Sequence, residues 1–199
     1  MEKIICATHN SGKLREIRSV LEPLGYTVVS ASDAGLTDEP EETGVTFAEN
    51  ARIKAEAVMK ATGLPALADD SGLCVRALGG EPGVYSARYG GMEDDPGRID
   101  LLLRNISASG ESNREASFIC ALCCLFPDGE EITAYGECKG EISDAPRGEG
   151  GFGYDPVFLL PELGATMAEL TMEQKNRISH RAKALAIFAQ KMKERNKWS

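Results

Sequence analysis

The apolar pattern of this chain changes period twice within its first thirty residues, and that alternation restricts the fold more than any other feature. KIICA (3–7) reads as a short apolar strand. Leu14, Ile17, Leu21 and Leu24 then recur at helical spacing, and Gly25 closes the helix. YTVVS (26–30) reads as a second strand. An opening of this kind points to a mixed α/β fold. A polar, acidic loop follows over residues 33–44, and Thr46 with Glu49 three positions on forms a capping box for a long helix that runs to Gly63. LPALADDSG (64–72) predicts a short strand stopping at two aspartates, and LCVRAL (73–78) a second, separate strand. Asp94 to Ser107 predict a helix, with Pro96 near its start, where proline is tolerated. REASFICALCCLF and EEITAYGECKGEI flank Pro127-Asp128-Gly129, a hairpin signal. GEGGFGYDP (148–156) is a loop, and Thr171 to Lys197 are mostly helical, in two pieces. There is no internal repeat and no low-complexity linker, so the 199 residues are expected to form a single domain.

Charge narrows the function. The net charge is −9, which argues against a protein that coats nucleic acid or an anionic membrane, because both need a basic face. A small anionic ligand in a local pocket is still allowed. The charge is also uneven: residues 175–199 carry eight Lys and Arg against the single acid Glu194. Most of that run reads as a solvated basic helix, with some members turned inward. MEKIICATHNSGK turns polar at Thr8, too early for a signal-peptide core. The longest apolar run, Phe118 to Phe126, is far short of the roughly 20 residues that span a bilayer. A cytoplasmic location is the default expectation. Of the six cysteines, Cys120 and Cys123 form a C-x-x-C pair, but residues three apart on a strand face opposite sides. Only His9 and His180 could add nitrogen ligands, so buried structural thiols are expected rather than a metal site or a disulfide framework.

Four stretches could carry chemistry. Thr8-His9-Asn10-Ser11-Gly12-Lys13 joins a strand to a helix, where unpaired backbone N–H groups and a partial positive charge favour a phosphate and Lys13 adds a full charge. It is not a Walker loop, since the leading glycine is missing and no Ser or Thr follows the lysine; an ordinary capped turn would look the same. Asp69-Asp70-Ser71-Gly72 places two carboxylates at an apolar strand, where they need a cation, donors or water. A Mg²⁺ site is reasonable there, with a further ligand from the acidic loop Asp38-Glu39-Pro40-Glu41-Glu42, although such runs are usually solvated. Gly150-Gly151-Phe152-Gly153-Tyr154-Asp155-Pro156 could bring backbone close to a ligand and stack an aromatic on a flat base, or be a mobile loop with its aromatic folded onto the core. Lys175 with Ser179-His180-Arg181 supplies donors suited to a keto oxygen, though a lone His beside Arg on a helix is more often structural.

Taken together these stretches are far more specific than any one of them. ATHNSGK, ETGVTFAENARIKA, ALADDSGLCVRALGGEPGVYSARY, GGFGYDPVF and EQKNRISHRAKAL, in this order and over nearly the whole chain, closely resemble the inosine triphosphate pyrophosphatase family. His9 fills a slot that the family varies. The resemblance implies a mixed twisted sheet with flanking helices, in two lobes with the active cleft between them, usually as a homodimer. It implies hydrolysis of ITP, dITP and XTP by attack of water on the α-phosphorus, giving a nucleoside monophosphate and pyrophosphate with Mg²⁺. Carried over by motif, Thr8, His9, Asn10, Ser11, Gly12 and Lys13 hold the triphosphate, with help from Lys54. Asp70 is base or metal ligand, Glu41 the second carboxylate, Asp69 orients the site and Ser71 contacts substrate. Phe152 stacks on the base, Gly153, Tyr154 and Asp155 line the pocket, and Lys175, His180 and Arg181 read the base edge. Hypoxanthine and xanthine carry a 6-keto acceptor where adenine carries an amino donor, so a site built of donors penalises adenine. Other readings are a pyrophosphatase of other modified nucleotides, a catalytically silent nucleotide sensor, and a phosphatase working through an aspartyl phosphate.

Overall fold

The structure is a computed structural model that describes residues 2–195. One seven-stranded sheet runs in the order β2-β1-β3-β4-β5-β6-β7. Its strands are β1 (Lys3–Cys6), β2 (Thr27–Ser30), β3 (Ala66–Val75), β4 (Glu115–Leu125), β5 (Glu131–Ile142), β6 (Phe158–Leu160) and β7 (Ala165–Thr166). The helices are α1 (Ser11–Leu21), α2 (Phe47–Thr62), α3 (Asp95–Ser109), α4 (Met172–Ile178) and α5 (His180–Arg195). β1 pairs parallel with β2 and β3, with Ile4 opposite Val28 and Ile5 opposite Ala66. β6 pairs antiparallel with β5 and with β7. The sheet is therefore mixed, as the early strand–helix–strand pattern and the later hairpin signal lead one to expect.

The chain divides into two compact units. The first comprises residues 1–70, 120–136 and 181–199, and the second comprises residues 71–119 and 137–180. In the first unit strand alternation sorts the core. Ile4, Cys6, Leu67, Cys120, Leu122 and Cys124 face a cluster that includes Ile17 and Leu21 of α1 and Leu185, Phe188 and Met192 of α5. Ile5, Ala66, Ala68, Cys123 and Leu125 face the other way, against Ala51, Ala55 and Val58 of α2. Cys120 and Cys123 thus lie on opposite faces, and all six cysteines are free thiols. Burial pushes the Cys123 thiol up to about 12, so it is a packing group rather than a nucleophile. Among the described residues no group of three or more His, Cys, Asp or Glu side chains is gathered for a metal. The second unit has its own core, in which Ile99, Leu102 and Ile106 of α3 pack with Phe118, Ile142, Phe158 and Leu160 of the sheet.

Helix ends follow their local chemistry. The Thr46–Glu49 box is formed reciprocally, and α2 stops at Gly63, whose φ of +66° is one that side-chain-bearing residues rarely adopt. A second box, Thr171 with Gln174, starts α4. The C-terminal helical segment breaks at Ser179, which is extended at φ −63°, ψ 154°; its expected end at Lys197 lies outside the described residues. Two expectations need correction. The strand through Asp69-Asp70 does not stop there: Ala66–Val75 is one strand of 10 residues, with both carboxylates in its middle. Cations supplied by three other elements compensate these charges, so the aspartates need not terminate the pairing. β6 and β7, three and two residues long, were not expected at all, being too short for periodicity to register.

Candidate active site

Alternation along β3 is the key to the first unit. Leu67 and Asp69 point to the α1/α5 side, Ala68 and Asp70 to the α2 side. Asp69, 2 % exposed, meets Lys13 Nζ at 2.9 Å and Arg181 Nε at 3.3 Å, both on Oδ2. Arg181 is also held by Glu16, Nη1 to Oε2 at 3.1 Å. Asp70, 7 % exposed, binds Lys54 Nζ through Oδ1 at 2.9 Å, and Lys54 in turn binds Glu42 Oε1 at 2.9 Å. The helix α2 places Asn50 and Lys54 one turn apart, so both reach the same carboxylate; Asn50 Nδ2 donates to Asp70 Oδ2 at 3.4 Å.

These surroundings push the two neighbouring carboxyls in opposite directions. Burial acts to raise Asp69, but Lys13 and Arg181, with Lys54 behind them, overcome it and hold the group well below the usual carboxylate range. Burial also acts on Asp70, and there the pull of Lys54 does not overcome it, so the carboxyl rises above its ordinary value. Lys54 feels burial too, yet Asp70 and Asp69 outweigh it and keep the ammonium charged. Paired titratable groups whose environments separate their pKa values mark out a permanent anion and a proton acceptor.

The loop before α1 is built by its own side chains. Thr8 is buried and accepts the Asn10 N–H at 3.2 Å. Asn10 caps α1, its Oδ1 accepting from Gly12 N at 2.9 Å and Lys13 N at 3.1 Å. Two amides expected to meet a phosphate therefore already serve the cap, while Ser11 is exposed beside them. His9 Nδ1 lies 2.9 Å from Ser32 Oγ, and its Nε2 is 3.7 Å from Glu39 of the acidic loop. Glu41 is exposed; its neighbour Glu42 is the loop carboxylate brought to Lys54 and Asp70.

The second unit holds the aromatic loop. Phe152 is 42 % exposed, and Lys175 Nζ of α4 lies 4.6 Å from its ring centroid. Asp155 is the hub: its Oδ2 accepts the Phe152 N–H at 2.9 Å and pairs with the buried Lys175. Gly151 makes this possible. Its φ is +77°, and a Cβ there would stand 2.0 Å from Asp155 Oδ2. Gly153 donates its N–H to Asp95 Oδ2 at 2.7 Å. Tyr154 is buried with its hydroxyl on the Ser86 carbonyl at 2.9 Å, so it supports the loop from beneath. His180 is buried and stacked on Phe118, ring centroids 4.9 Å apart. Ser71 is half-buried on β3.

The first unit thus joins Lys13, Asp69 and Arg181 in one cluster and Lys54, Asp70 and Glu42 in another; the second joins Phe152, Asp155 and Lys175. The sequence does not mark Glu16, Asn50 or Asp95 by themselves, and marks Glu42 only as one member of the acidic loop 38–42. Asn50 and Glu42 fall inside ETGVTFAENARIKA, where the four-residue spacing of Asn50 and Lys54 puts both on one helix face; that Asn50 is buried is visible only in the structure.

The chain is similar in sequence and in fold to known proteins. The model of the Ham1 family matches residues 4–191. A dITP/XTP pyrophosphatase of Thermus thermophilus is 52% identical over 192 residues, covering 96% of this chain and 92% of that protein. The dITP/XTP pyrophosphatase of Bacillus subtilis is 51% identical over 186 residues, covering 93% and 94%. A solved HAM1 protein from Coxiella burnetii superposes with a TM-score of 0.93 at 42% identity, over 98% of this chain and 100% of that one. With a match of this extent in sequence and in fold, the chain belongs to the Ham1 family.

Proposed function

We propose that this chain hydrolyses non-standard purine nucleoside triphosphates (ITP, dITP and XTP) between the α- and β-phosphorus, releasing the monophosphate and pyrophosphate and so clearing such nucleotides from the pool. The reading is supported by relatives named dITP/XTP pyrophosphatase at about half identity over nearly the full chain. The observation that carries the chemistry is the divided carboxylate pair of β3, with Asp69 held ionised and Asp70 raised beside Lys54. Asp70 is the group suited to take a proton from the attacking water. Asp69 stays anionic and keeps the Lys13 ammonium in place at the start of α1, where it can meet phosphate oxygens. Thr8 to Gly12 shape that turn, and Lys54 adds charge beside Asp70.

Mg²⁺ fits these residues as a proposal. Asp70 Oδ1 and Glu42 Oε1 each lie 2.9 Å from the Lys54 ammonium, so a cation already sits between two carboxylates. A site with one or two carboxylates and the remaining positions left to phosphate oxygens and water is typical of this ion. Asp70 would hold it with a carboxylate of the 38–42 loop, where Glu42 faces Lys54 and Glu41 is exposed. When bound, it neutralises charge as the phosphoanhydride breaks. Base recognition in the second unit falls to Phe152 as a stacking face and to Lys175 and His180 as donors to a 6-keto oxygen, with Gly153, Tyr154 and Asp155 shaping the loop and Ser71 contacting substrate; the family resemblance adds Arg181 as a further donor. A homodimer in the cytoplasm is the setting the family resemblance implies; among the described residues no helix is long and apolar enough to cross a membrane.

The test is to incubate the protein with Mg²⁺ and ITP, dITP, XTP, GTP or ATP and identify the phosphate products. Pyrophosphate from the first three, lost on chelation and restored by Mg²⁺, is the expected result. Orthophosphate would indicate a phosphatase instead, and binding without turnover a sensor. Phe152→Ala should raise KM for dITP by roughly five- to 150-fold, since a base stacked on an aromatic is worth about 1–3 kcal/mol. Steady-state kinetics check this, with kcat changing less than KM.

A further inference from the structure

Asn50 is fully buried on α2, and a carboxamide taken out of water must find partners for both its ends. Its Oδ1 accepts the Gly44 N–H at 2.9 Å. Only the oxygen can accept that bond, so the amide's orientation is fixed and Nδ2 is aimed at Asp70 Oδ2, 3.4 Å away. The other Asp70 oxygen is taken by Lys54 at 2.9 Å. The two carboxylate oxygens therefore answer to different partners, and turning the group breaks one contact or the other. Gly44 is required for the arrangement: a Cβ there would stand 2.6 Å from Asn50 Oδ1 and 2.7 Å from Glu49 Cβ. Gly44 lies two residues beyond Glu42, which shares Lys54 with Asp70, so loop, helix and strand close a ring through Gly44, Asn50, Asp70, Lys54 and Glu42.

We propose that Asn50 is a positioning residue for the hydrolytic step, its carboxamide fixing the orientation of the Asp70 carboxylate and tying it to the loop that carries Glu42. The role needs one planar group with an acceptor at one end and a donor at the other. Leucine, close in size, has neither; aspartate keeps the acceptor for Gly44 but sets a second carboxylate beside Asp70, and so acts on its charge as well as on its orientation. The inference rests on the reading of Asp70 as the base.

The experiment compares wild type, Asn50→Asp and Asn50→Leu, each also in an Asp70→Asn background. It measures kcat and KM for dITP with Mg²⁺, nucleotide Kd with EDTA present, and the thermal unfolding midpoint. Asn50→Leu should lower kcat at least about tenfold, as misplacement of a reacting group does, with KM and the metal-free Kd within about threefold. In the Asp70→Asn background the same change should lower kcat no further, because a residue acting through Asp70 has nothing left to orient. A wild-type kcat in Asn50→Leu, a loss carried by KM and Kd, or a loss that persists in full beside Asp70→Asn overturns the role. If Asn50→Leu does not fold, Asn50→Asp reads the same split on the high-pH plateau of kcat, where Asp70 is ionised in both proteins. The underlying reading fails separately: the wild type would release no pyrophosphate, or Asp70→Asn would remain active.

Discussion

Replacing Asp70 by Asn is expected to lower kcat for dITP about 10³-fold while leaving nucleotide affinity within about threefold, as loss of a general base does. The amide is close to the carboxylate in shape, so β3 and its packing against α2 survive, but it cannot accept a proton from water. Asp69→Asn should behave differently. That carboxyl is held ionised by Lys13 and Arg181 and faces the opposite side of the strand, so its loss disturbs the cations before it touches the chemistry. The pH dependence separates the two further. A base works only when ionised, and burial lifts Asp70 above its ordinary value. In the metal-free protein the Asp70 carboxyl should therefore take up its proton at a pH above the usual Asp figure of about 3.9. Carboxyl NMR titration of the metal-free protein, initial rates of pyrophosphate release, and equilibrium binding of the nucleotide to Asp70→Asn check these statements. Substantial activity in Asp70→Asn would remove Asp70 from the role.

Most of the architecture was legible because local chemistry and tertiary packing agree. The Thr46–Glu49 box, the helical spacing of Ile17 and Leu21, and the proline-glycine hairpin turn each specify their element before any long-range contact forms. The two failures have physical causes. Two adjacent aspartates normally end a strand, and here they do not, because Lys13, Lys54 and Arg181 arrive from residues 56, 16 and 112 positions away in sequence. Nothing local announces that compensation. β6 and β7 are held by pairing with β5 and with each other rather than by their own pattern. The site was legible as motifs but not as partnerships. A run such as Asp38 to Glu42 shows that carboxylates are available. Only the fold decides that Glu42 turns toward Lys54 while Glu41 is left exposed. Arg181 is the sharpest case: the motif marks it as a donor, and the fold adds that Asp69 and Glu16 hold it.

Arg181→Ala is accordingly expected to destabilise the protein by about 3–5 kcal/mol, because it removes one partner from a buried ion pair and leaves Asp69 with less compensation. For a chain of this size that corresponds to a fall in the unfolding midpoint of roughly 6–20 °C. The pH dependence has a definite sign. The folded Asp69 carboxyl lies below its unfolded value, so its contribution is fully present above about pH 4 and is lost as pH falls through the folded value. The gap between wild type and Arg181→Ala should be constant near neutrality and should narrow in acid. Arg181→Lys keeps a charge near Asp69 but not the planar fork that spans Asp69 and Glu16, so its loss should be smaller. Adding Asp69→Asn to Arg181→Ala should restore part of the stability, because the buried anion that the arginine answered is gone. Thermal melts across pH measure all of this. The ratio of ITP to ATP turnover in Arg181→Lys then isolates base reading from stability: a reduced preference in a protein that still melts near wild type assigns the guanidinium to the base edge, and an unchanged ratio confines it to Asp69.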